Sequence, residues 1–277
     1  MNPSWQAGFV ETNGIQLHYT RTGGNKPPFI LVHGFSDDGL CWSAVAEILS
    51  RDYDVVMPDA RGHGRSSVPL QGYGPLDQAR DLYGLIQSLG LSKPIVLGHS
   101  MGAITSLVLA GLYPECPGAV LLEDPPAFWN LESRREPQNE NPNRGLKAWA
   151  LRIRTRTQAE LLIQVRAENP GWSEAEVEPW VDSKLRFSPT MVESLFGDNA
   201  GGNPEWKDIL PRVTCPILVI TADPQLGSIL TPADTRILQN FIPQLQIKHI
   251  SKAGHSIRRD QLNQYMQVVF EFLAKQV

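Results

Sequence analysis

The feature that most constrains the fold is an alternation of short apolar segments with segments of helical spacing. Four apolar runs of strand length occupy the first half of the chain, at residues 29–32, 53–57, 94–97 and 119–122. Helical patterns lie between them, at residues 41–49, 76–89 and 101–112. Strands buried on both faces are continuously apolar, and parallel neighbours need long crossover connections, which helices supply. The alternation therefore predicts an α/β fold with a doubly wound, mostly parallel sheet.

The alternation stops after residue 126 and resumes near residue 212. Residues 127–211 are rich in Arg, Glu, Asn, Pro and Trp and have helical rather than strand patterning. Two further strand-like runs follow, at residues 216–220 and 245–250, and an amphipathic helix at 261–274 ends the pattern. We therefore predict a core domain of residues 1–126 and 212–277, with residues 127–211 inserted into it as a helical cap. At the other end, Asn13-Gly14 predicts a two-residue hairpin turn.

Composition narrows the class of protein. The chain has 277 residues, 42% of them hydrophobic, so it can bury a substantial core. Its net charge of −4 argues against nucleic acid or an anionic membrane as a partner. The three cysteines are odd in number and widely spaced, which favours free thiols in a reducing compartment. The N-terminal residues lack the pattern of a signal peptide, and no apolar run is long enough to span a bilayer. We expect a cytoplasmic monomer or homodimer that binds a small-molecule substrate.

The motif Gly98-His99-Ser100-Met101-Gly102 carries the chemistry. It lies where an apolar strand is predicted to end and a helix to begin, which is the context that a G-x-S-x-G turn requires. A serine on such a turn projects its hydroxyl above the sheet, and the helix directs backbone N–H groups toward a developing oxyanion. The motif therefore predicts Ser100 as a nucleophile. His255 follows the last predicted strand, and we predict it as the general base, because histidine can accept a proton near neutral pH.

With these residues the chain resembles the α/β-hydrolase superfamily. His33-Gly34-Phe35 is similar to the H-G-x oxyanion loop of that family. Residues 59–66, Asp-Ala-Arg-Gly-His-Gly-Arg-Ser, are similar to its D-x-R-G-x-G-x-S turn, and Gly254-His255 to its histidine loop. The resemblance implies that the backbone N–H groups of Phe35 and Met101 form an oxyanion hole. It also implies a structural rather than a catalytic role for residues 59–66.

The sequence leaves open which of two loops supplies the acid that would orient His255. Members of the superfamily usually carry it after the strand predicted here at residues 216–220, where this chain has Asp223. The second acidic position of their G-D-x-D pattern is replaced in this chain. Resemblance to haloalkane and fluoroacetate dehalogenases points instead to Asp124, about two dozen residues after Ser100. Either loop could support the histidine, since triads are defined by geometry. We favour Asp124, with Asp223 as the alternative and Glu123 after both.

The predicted chemistry follows from the nucleophile. Serine at position 100, where dehalogenases and epoxide hydrolases carry aspartate, favours an acyl-enzyme. We predict a hydrolase for a carboxylic ester or lactone of a small, apolar substrate, without a cofactor or metal. Two alternatives stay open: carbon–carbon bond hydrolysis or cofactor-free perhydrolysis on the same scaffold, and a ligand receptor with a mobile cap. The cap should set substrate choice, and we expect most of its tryptophans to form its own core: Trp129, Trp149, Trp172, Trp180 and Trp206.

Overall fold

The structure is a computed structural model that describes residues 2, 4–130, 142–197 and 201–276. Its strands are β1 (Gln6–Thr12), β2 (Ile15–Arg21), β3 (Pro28–Val32), β4 (Asp54–Pro58), β5 (Ile95–His99), β6 (Ala119–Glu123), β7 (Ile217–Thr221) and β8 (Gln246–His249). Its helices are α1 (Ser43–Leu49), α2 (Pro75–Ser88), α3 (Met101–Leu112), α4 (Pro142–Ile153), α5 (Gln158–Glu168), α6 (Glu174–Lys184), α7 (Pro189–Leu195), α8 (Trp206–Ile209), α9 (Pro232–Phe241), α10 (Ile257–Asp260) and α11 (Leu262–Leu273).

The strands form one sheet in the order β1-β2-β4-β3-β5-β6-β7-β8. Strand β1 pairs with β2, and β2 pairs with β4, in antiparallel register. The other pairings, from β4-β3 to β7-β8 along this order, are parallel. The hairpin turn lies at Asn13-Gly14, where both residues have positive φ as a two-residue turn of this kind requires. The sheet is therefore mostly parallel, as predicted, and the carboxyl ends of β3, β5, β6, β7 and β8 share one edge.

Alternate residues of the central strands enter two separate cores. Ile30 packs in a cluster that α2, α3 and α9 complete. Leu31, the next residue, packs on the opposite face against α1 and α11. Both side chains are fully buried, which stabilises the fold by about 1.5–3 kcal/mol for each. Helices therefore cover both faces, which makes the sheet doubly wound.

The main departures from the predicted elements concern helices. The helical pattern at residues 41–49 is divided into a 3₁₀ turn at Gly39–Trp42 and helix α1. Helix α9 was not predicted, although it begins with a recognisable capping box, in which Thr231 accepts from the Asp234 backbone N–H and Asp234 accepts from that of Thr231. No helix in the described residues combines the length and apolarity needed to cross a bilayer.

In the described part of the chain, helices α4 to α8 lie between β6 and β7. The first four of them, α4 to α7, lie in residues 142–197, which we call the helical insertion. They share a hydrophobic cluster that includes Ile153, Leu161, Val181 and Phe187. Trp149, Trp172 and Trp180 pack against this cluster. Trp129 and Trp206, grouped with them in the sequence analysis, instead belong to the core on the α3 face of the sheet. The predicted segment 127–211 also includes residues 131–141 and 198–200, which lie outside the described residues.

Candidate active site

Ser100 occupies a strained turn between β5 and α3. Its φ of 53° and ψ of −115° lie in a region that non-glycine residues rarely adopt, at a cost on the order of 1–3 kcal/mol. The Ser100 backbone N–H donates to the Glu123 carbonyl at 2.9 Å, which ties the turn to the end of β6. The side chain therefore stands at the carboxyl edge of the sheet, at the N-terminus of α3.

The two motif glycines are required by close approach of backbone. A Cβ built on Gly98 would lie 2.2 Å from the Gly102 carbonyl oxygen, and one built on Gly102 would lie 2.2 Å from the Val32 carbonyl oxygen. Neither contact can be relieved by a side-chain rotation, because both partners are backbone atoms. The absence of a Cβ at both positions is what allows β5 to turn sharply into α3.

His255 is held by Asp124. The His255 Nδ1 atom lies 2.7 Å from Asp124 Oδ2, so Nδ1 carries the proton and Nε2 is left as the free nitrogen of the ring. Asp124 directly follows β6, is fully buried and has a φ of 41°. Its carboxylate also accepts from Ser228 Oγ at 2.7 Å and from the backbone N–H groups of Ile229 and Leu230. These three donors fix the carboxylate that orients the histidine.

In the described part of the chain, the carboxylates of the other two acids, Asp223 and Glu123, hydrogen-bond to residues other than His255. Asp223 accepts from His249 Nε2 at 2.9 Å and from the Lys252 backbone N–H at 2.7 Å. The bond from Lys252, and then that from His249, lower the pKa of Asp223. Glu123 is buried and accepts from the backbone N–H and the guanidinium of Arg258. Burial raises the pKa of Glu123 despite the positive charge of that arginine.

The backbone donors predicted for an oxyanion hole border the Ser100 turn. A Cβ built on Gly34 would lie 3.3 Å from Ser100 Cβ, so the loop after β3 passes directly beside the candidate nucleophile. Phe35 follows in this loop, and Met101 is the first residue of α3. Within the described part of the chain, the backbone N–H groups of Phe35 and Met101 donate to no other residue.

His99 supports the candidate base, a role that sequence reasoning did not assign. Its Nε2 atom donates to the His255 carbonyl at 2.9 Å, and the two rings lie 4.7 Å apart. Burial, and then the charge of Arg258, hold the pKa of His99 well below its usual range, so the ring is neutral. The motif therefore fixes the backbone of the histidine loop from the residue next to Ser100. The spacing of the motif gives no signal of this bond, because its partner is distant in sequence.

Residues 59–66 form a buried structural turn. Asp59 accepts from the backbone N–H groups of Gly39 and Arg65, and Arg61 forms a bidentate ion pair with Asp81. His63 accepts at Nε2 from the Ser36 backbone N–H, which connects the turn to the loop after β3.

The helical insertion contacts the same loop. The ring of Phe35 lies 5.3 Å from that of the partly buried Phe196 and 6.3 Å from that of the fully buried Phe187, so an aromatic cluster lies next to the predicted oxyanion hole. The described residues contain no group of three or more His, Cys, Asp and Glu side chains that could hold a metal ion. All three cysteines are free thiols.

Residues 27–258 match the family model of the alpha/beta hydrolase fold, so the chain belongs to that family. It is 30% identical over 271 residues to N-formylmaleamate deformylase of Pseudomonas putida, with 96% of each chain covered. The crystal structure of E-2-(acetamidomethylene)succinate hydrolase superposes with a TM-score of 0.81 at 20% identity, covering 98% of this chain and 99% of that one. A thermophilic esterase from Thermogutta terrifontis, solved with malate bound, superposes with a TM-score of 0.74 at 26% identity and covers the same shares. The chain is a hydrolase of this family.

Proposed function

We propose that Ser100, His255 and Asp124 form a catalytic triad, and that the protein hydrolyses a carboxylic ester or lactone of a small, apolar substrate. The observation that carries this proposal is the 2.7 Å bond between His255 and the fully buried Asp124 at the sheet edge that also presents Ser100. This bond leaves Nε2 as the nitrogen that accepts the serine proton, as a triad requires.

The reaction has two stages. Ser100 Oγ attacks the substrate carbonyl carbon while His255 Nε2 takes its proton, and the negative charge on the carbonyl oxygen is stabilised by the N–H groups of Phe35 and Met101. The C–O bond to the leaving group then breaks, and His255 returns the proton to the departing oxygen. Water attacks the acyl-enzyme in the second stage with His255 again as base, and the acid product leaves with Ser100 restored.

Two observations support an apolar ester substrate. The partly buried rings of Phe35 and Phe196 pack together beside the donors of the proposed oxyanion hole, backed by the buried ring of Phe187, and aromatic side chains there favour an apolar group. One relative of similar fold, at 26% identity, is an esterase. We propose further that the helical insertion acts as the cap and supplies part of this aromatic cluster.

A second candidate is hydrolysis of an acyl group carried on nitrogen. The relative that is 30% identical along nearly the full chain is named as a deformylase of N-formylmaleamate. An N-acyl compound of this kind is cleaved through the same tetrahedral intermediate as an ester, with nitrogen as the leaving atom. The proposed triad and oxyanion hole serve both reactions.

Turnover tests the proposal directly. A series of p-nitrophenyl esters from acetate to decanoate, a panel of small lactones and an N-formyl amide are incubated with the wild type and Ser100→Ala. We expect ester or lactone hydrolysis that Ser100→Ala lowers on the order of 10⁶-fold with the fold unchanged by circular dichroism. Ser88→Ala, at an exposed position at the end of α2, is the matched control and should equal the wild type.

The outcomes separate the candidates. Turnover of the amide alone would replace the ester proposal with the second candidate. Full activity in Ser100→Ala would overturn both. No turnover of any substrate, together with no labelling of Ser100 by a fluorophosphonate, would also overturn the proposed triad.

A further inference from the structure

The loop that carries one proposed oxyanion donor is held in an unfavourable backbone conformation. Ser36 directly follows Phe35 and has a φ of 65°, in the left-handed region that non-glycine residues rarely adopt. Ser36 is also buried. A strained residue persists only where surrounding contacts fix it, and such residues cluster at functional sites. The contacts that fix Ser36 therefore constrain the backbone directly after Phe35.

Side chains from two distant segments bind the peptide groups of Ser36. Its N–H donates to His63 Nε2 at 3.2 Å, from the buried turn of residues 59–66. Its carbonyl accepts from Lys184 Nζ at 3.1 Å, from the last residue of α6 in the helical insertion. The same ammonium donates to Asp37 Oδ1 at 2.6 Å. Lys184 is thus bonded to two consecutive residues of the loop.

The burial of Lys184 shows that this contact is specific rather than incidental. Its side chain is 1% exposed, although lysine usually keeps its ammonium group in water. Removing an ammonium from water is costly, and the cost is offset only by close partners. Here the partners are Asp37, the Ser36 carbonyl, Ser183 Oγ at 3.2 Å and the ring of Trp180, whose centroid lies 4.7 Å from Nζ.

Asp37 connects the loop to the histidine loop as well. Its other oxygen lies 2.9 Å from the guanidinium of Arg259 and 3.5 Å from that of Arg258, both on α10 shortly after His255. Arg259 also pairs with Glu176 of α6 at 3.1 Å. Burial alone would raise the pKa of Asp37, but the three surrounding cations hold it well below its usual range. Helix α6 therefore contacts the loop that carries Phe35 and, through Glu176, the helix α10 that follows His255.

We propose that Lys184 is a positioning residue for catalysis: by bonding the Ser36 carbonyl and Asp37, it fixes the Phe35 N–H in the geometry that stabilises the oxyanion. The inference rests on the proposed function and deepens it, because it gives the helical insertion a part in transition-state stabilisation besides substrate choice. In the proposed function, the rings of Phe35 and Phe196 would meet the substrate. Lys184 acts only through the loop.

The test compares Lys184→Met with Lys147→Met on a matched pair of substrates, a p-nitrophenyl ester and its thionoester. Lys147 belongs to the same insertion and pairs with Glu193 at 2.5 Å, but on the surface, so it controls for loss of a lysine ion pair. The sulfur of a thionoester is a weak hydrogen-bond acceptor and gains little from an oxyanion hole. The ratio of the two kcat values therefore reports the hole and not the base.

We expect Lys184→Met to lower kcat for the ester by about 10²-fold, the effect of losing one oxyanion donor, with KM changed little. The kcat for the thionoester should fall far less, so the ratio of the ester kcat to the thionoester kcat should fall by about tenfold or more. Lys147→Met should retain the wild-type ratio. An unchanged ratio in folded Lys184→Met would overturn the inference, even if both kcat values fell, because equal losses on the two substrates would indicate general disruption.

A double variant keeps the test decisive if Lys184→Met fails to fold. Asp37→Asn combined with Lys184→Met removes one cation and one anion, so Arg258 and Arg259 still face Glu123 and Glu176 and the buried charges stay balanced. It lacks the bond to the Ser36 carbonyl, so the same fall in the ratio is expected. Lys147→Met with Glu193→Gln is its matched control.

Failure of this inference is distinct from failure of the proposed function. If the wild type hydrolyses neither substrate and Ser100 is not labelled, the proposed function is wrong. If the wild type turns over and Ser100→Ala does not, the triad proposal stands, and the ratio in the Lys184 variants alone decides the role of Lys184.

Discussion

Replacing Asp124 by asparagine tests the acid assignment with the least change of shape. The carboxylate accepts four hydrogen bonds, from Ser228 Oγ, the N–H groups of Ile229 and Leu230, and His255 Nδ1. An amide has one oxygen to accept and an NH₂ group that only donates. Some of these donors must then face another donor in a fully buried site, at a cost of about 1–3 kcal/mol for each donor left unsatisfied.

The loss of rate should exceed the loss of stability. An amide N–H facing Nδ1 favours the tautomer with the proton on Nε2, which cannot accept the proton of Ser100. We expect kcat to fall about 10⁴-fold, the effect of misorienting the histidine of a triad. At about 1.36 kcal/mol for each tenfold change, this is about 5 kcal/mol of transition-state stabilisation. The assay is ester hydrolysis under saturating substrate, with circular dichroism and thermal unfolding to verify the folded state.

Asp223→Asn is the matched control. Among the described residues, the Asp223 carboxylate hydrogen-bonds to His249 and the Lys252 N–H, and an amide oxygen can still accept from Lys252. Its kcat should stay within about threefold of the wild type, as for a residue outside the reacting groups. The reasoning is refuted if Asp223→Asn is inactive while Asp124→Asn retains its rate.

Two further predictions concern the frame around the site. Gly102→Ala should destabilise the protein by about 3 kcal/mol in urea unfolding, because its Cβ would meet the Val32 carbonyl at 2.2 Å. In Gly145→Ala nothing lies within 4 Å of the added Cβ, so this variant should be neutral or slightly stabilising. Equal losses of unfolding free energy in the two variants would contradict the packing argument. Burial lowers the pKa of His63 to about 3, so the unfolded chain binds a proton below about pH 6.5 that the native state does not, and stability should fall as pH drops from there toward 3. In His63→Gln the slope of the unfolding free energy over this window should be smaller by up to about 1.4 kcal/mol per pH unit, and parallel profiles for the two proteins would refute the assignment.

The sheet and the position of Ser100 follow from local sequence. Buried parallel strands are continuously apolar, so β3 to β7 could be located within a residue or two, and the glycines around Ser100 mark the turn that follows β5. The acid was harder to predict, because Asp124 and Asp223 both follow parallel strands at the same edge of the sheet. The choice depends on side-chain direction. Asp223 turns toward His249, and nothing in the sequence near either aspartate encodes that contact.

The supporting contacts could not be found from patterns at all. Lys184 and Arg259 are charged residues on helices, and helical spacing alone suggests that such side chains face solvent. Each is buried because its partner comes from a segment far along the chain. The Ser228 hydroxyl that fixes Asp124 lies in an irregular segment without periodicity. Long-range pairing of this kind is set by the tertiary fold, so it appears only once the fold is known.

The ionic contacts of α6 limit how this chain can be altered, in evolution or by design. A helical segment inserted at one point of a sheet domain looks exchangeable, since only two connections join it to the rest. Here an exchange that removed α6 would leave Asp37 without Lys184, and Arg259 without Glu176, in sites with almost no access to water. A graft from a relative can succeed only if it brings its own counter-charges or if Asp37 and Arg259 change with it. New substrate preferences should therefore be sought in α4 and α7, where residues can vary without disturbing these pairs.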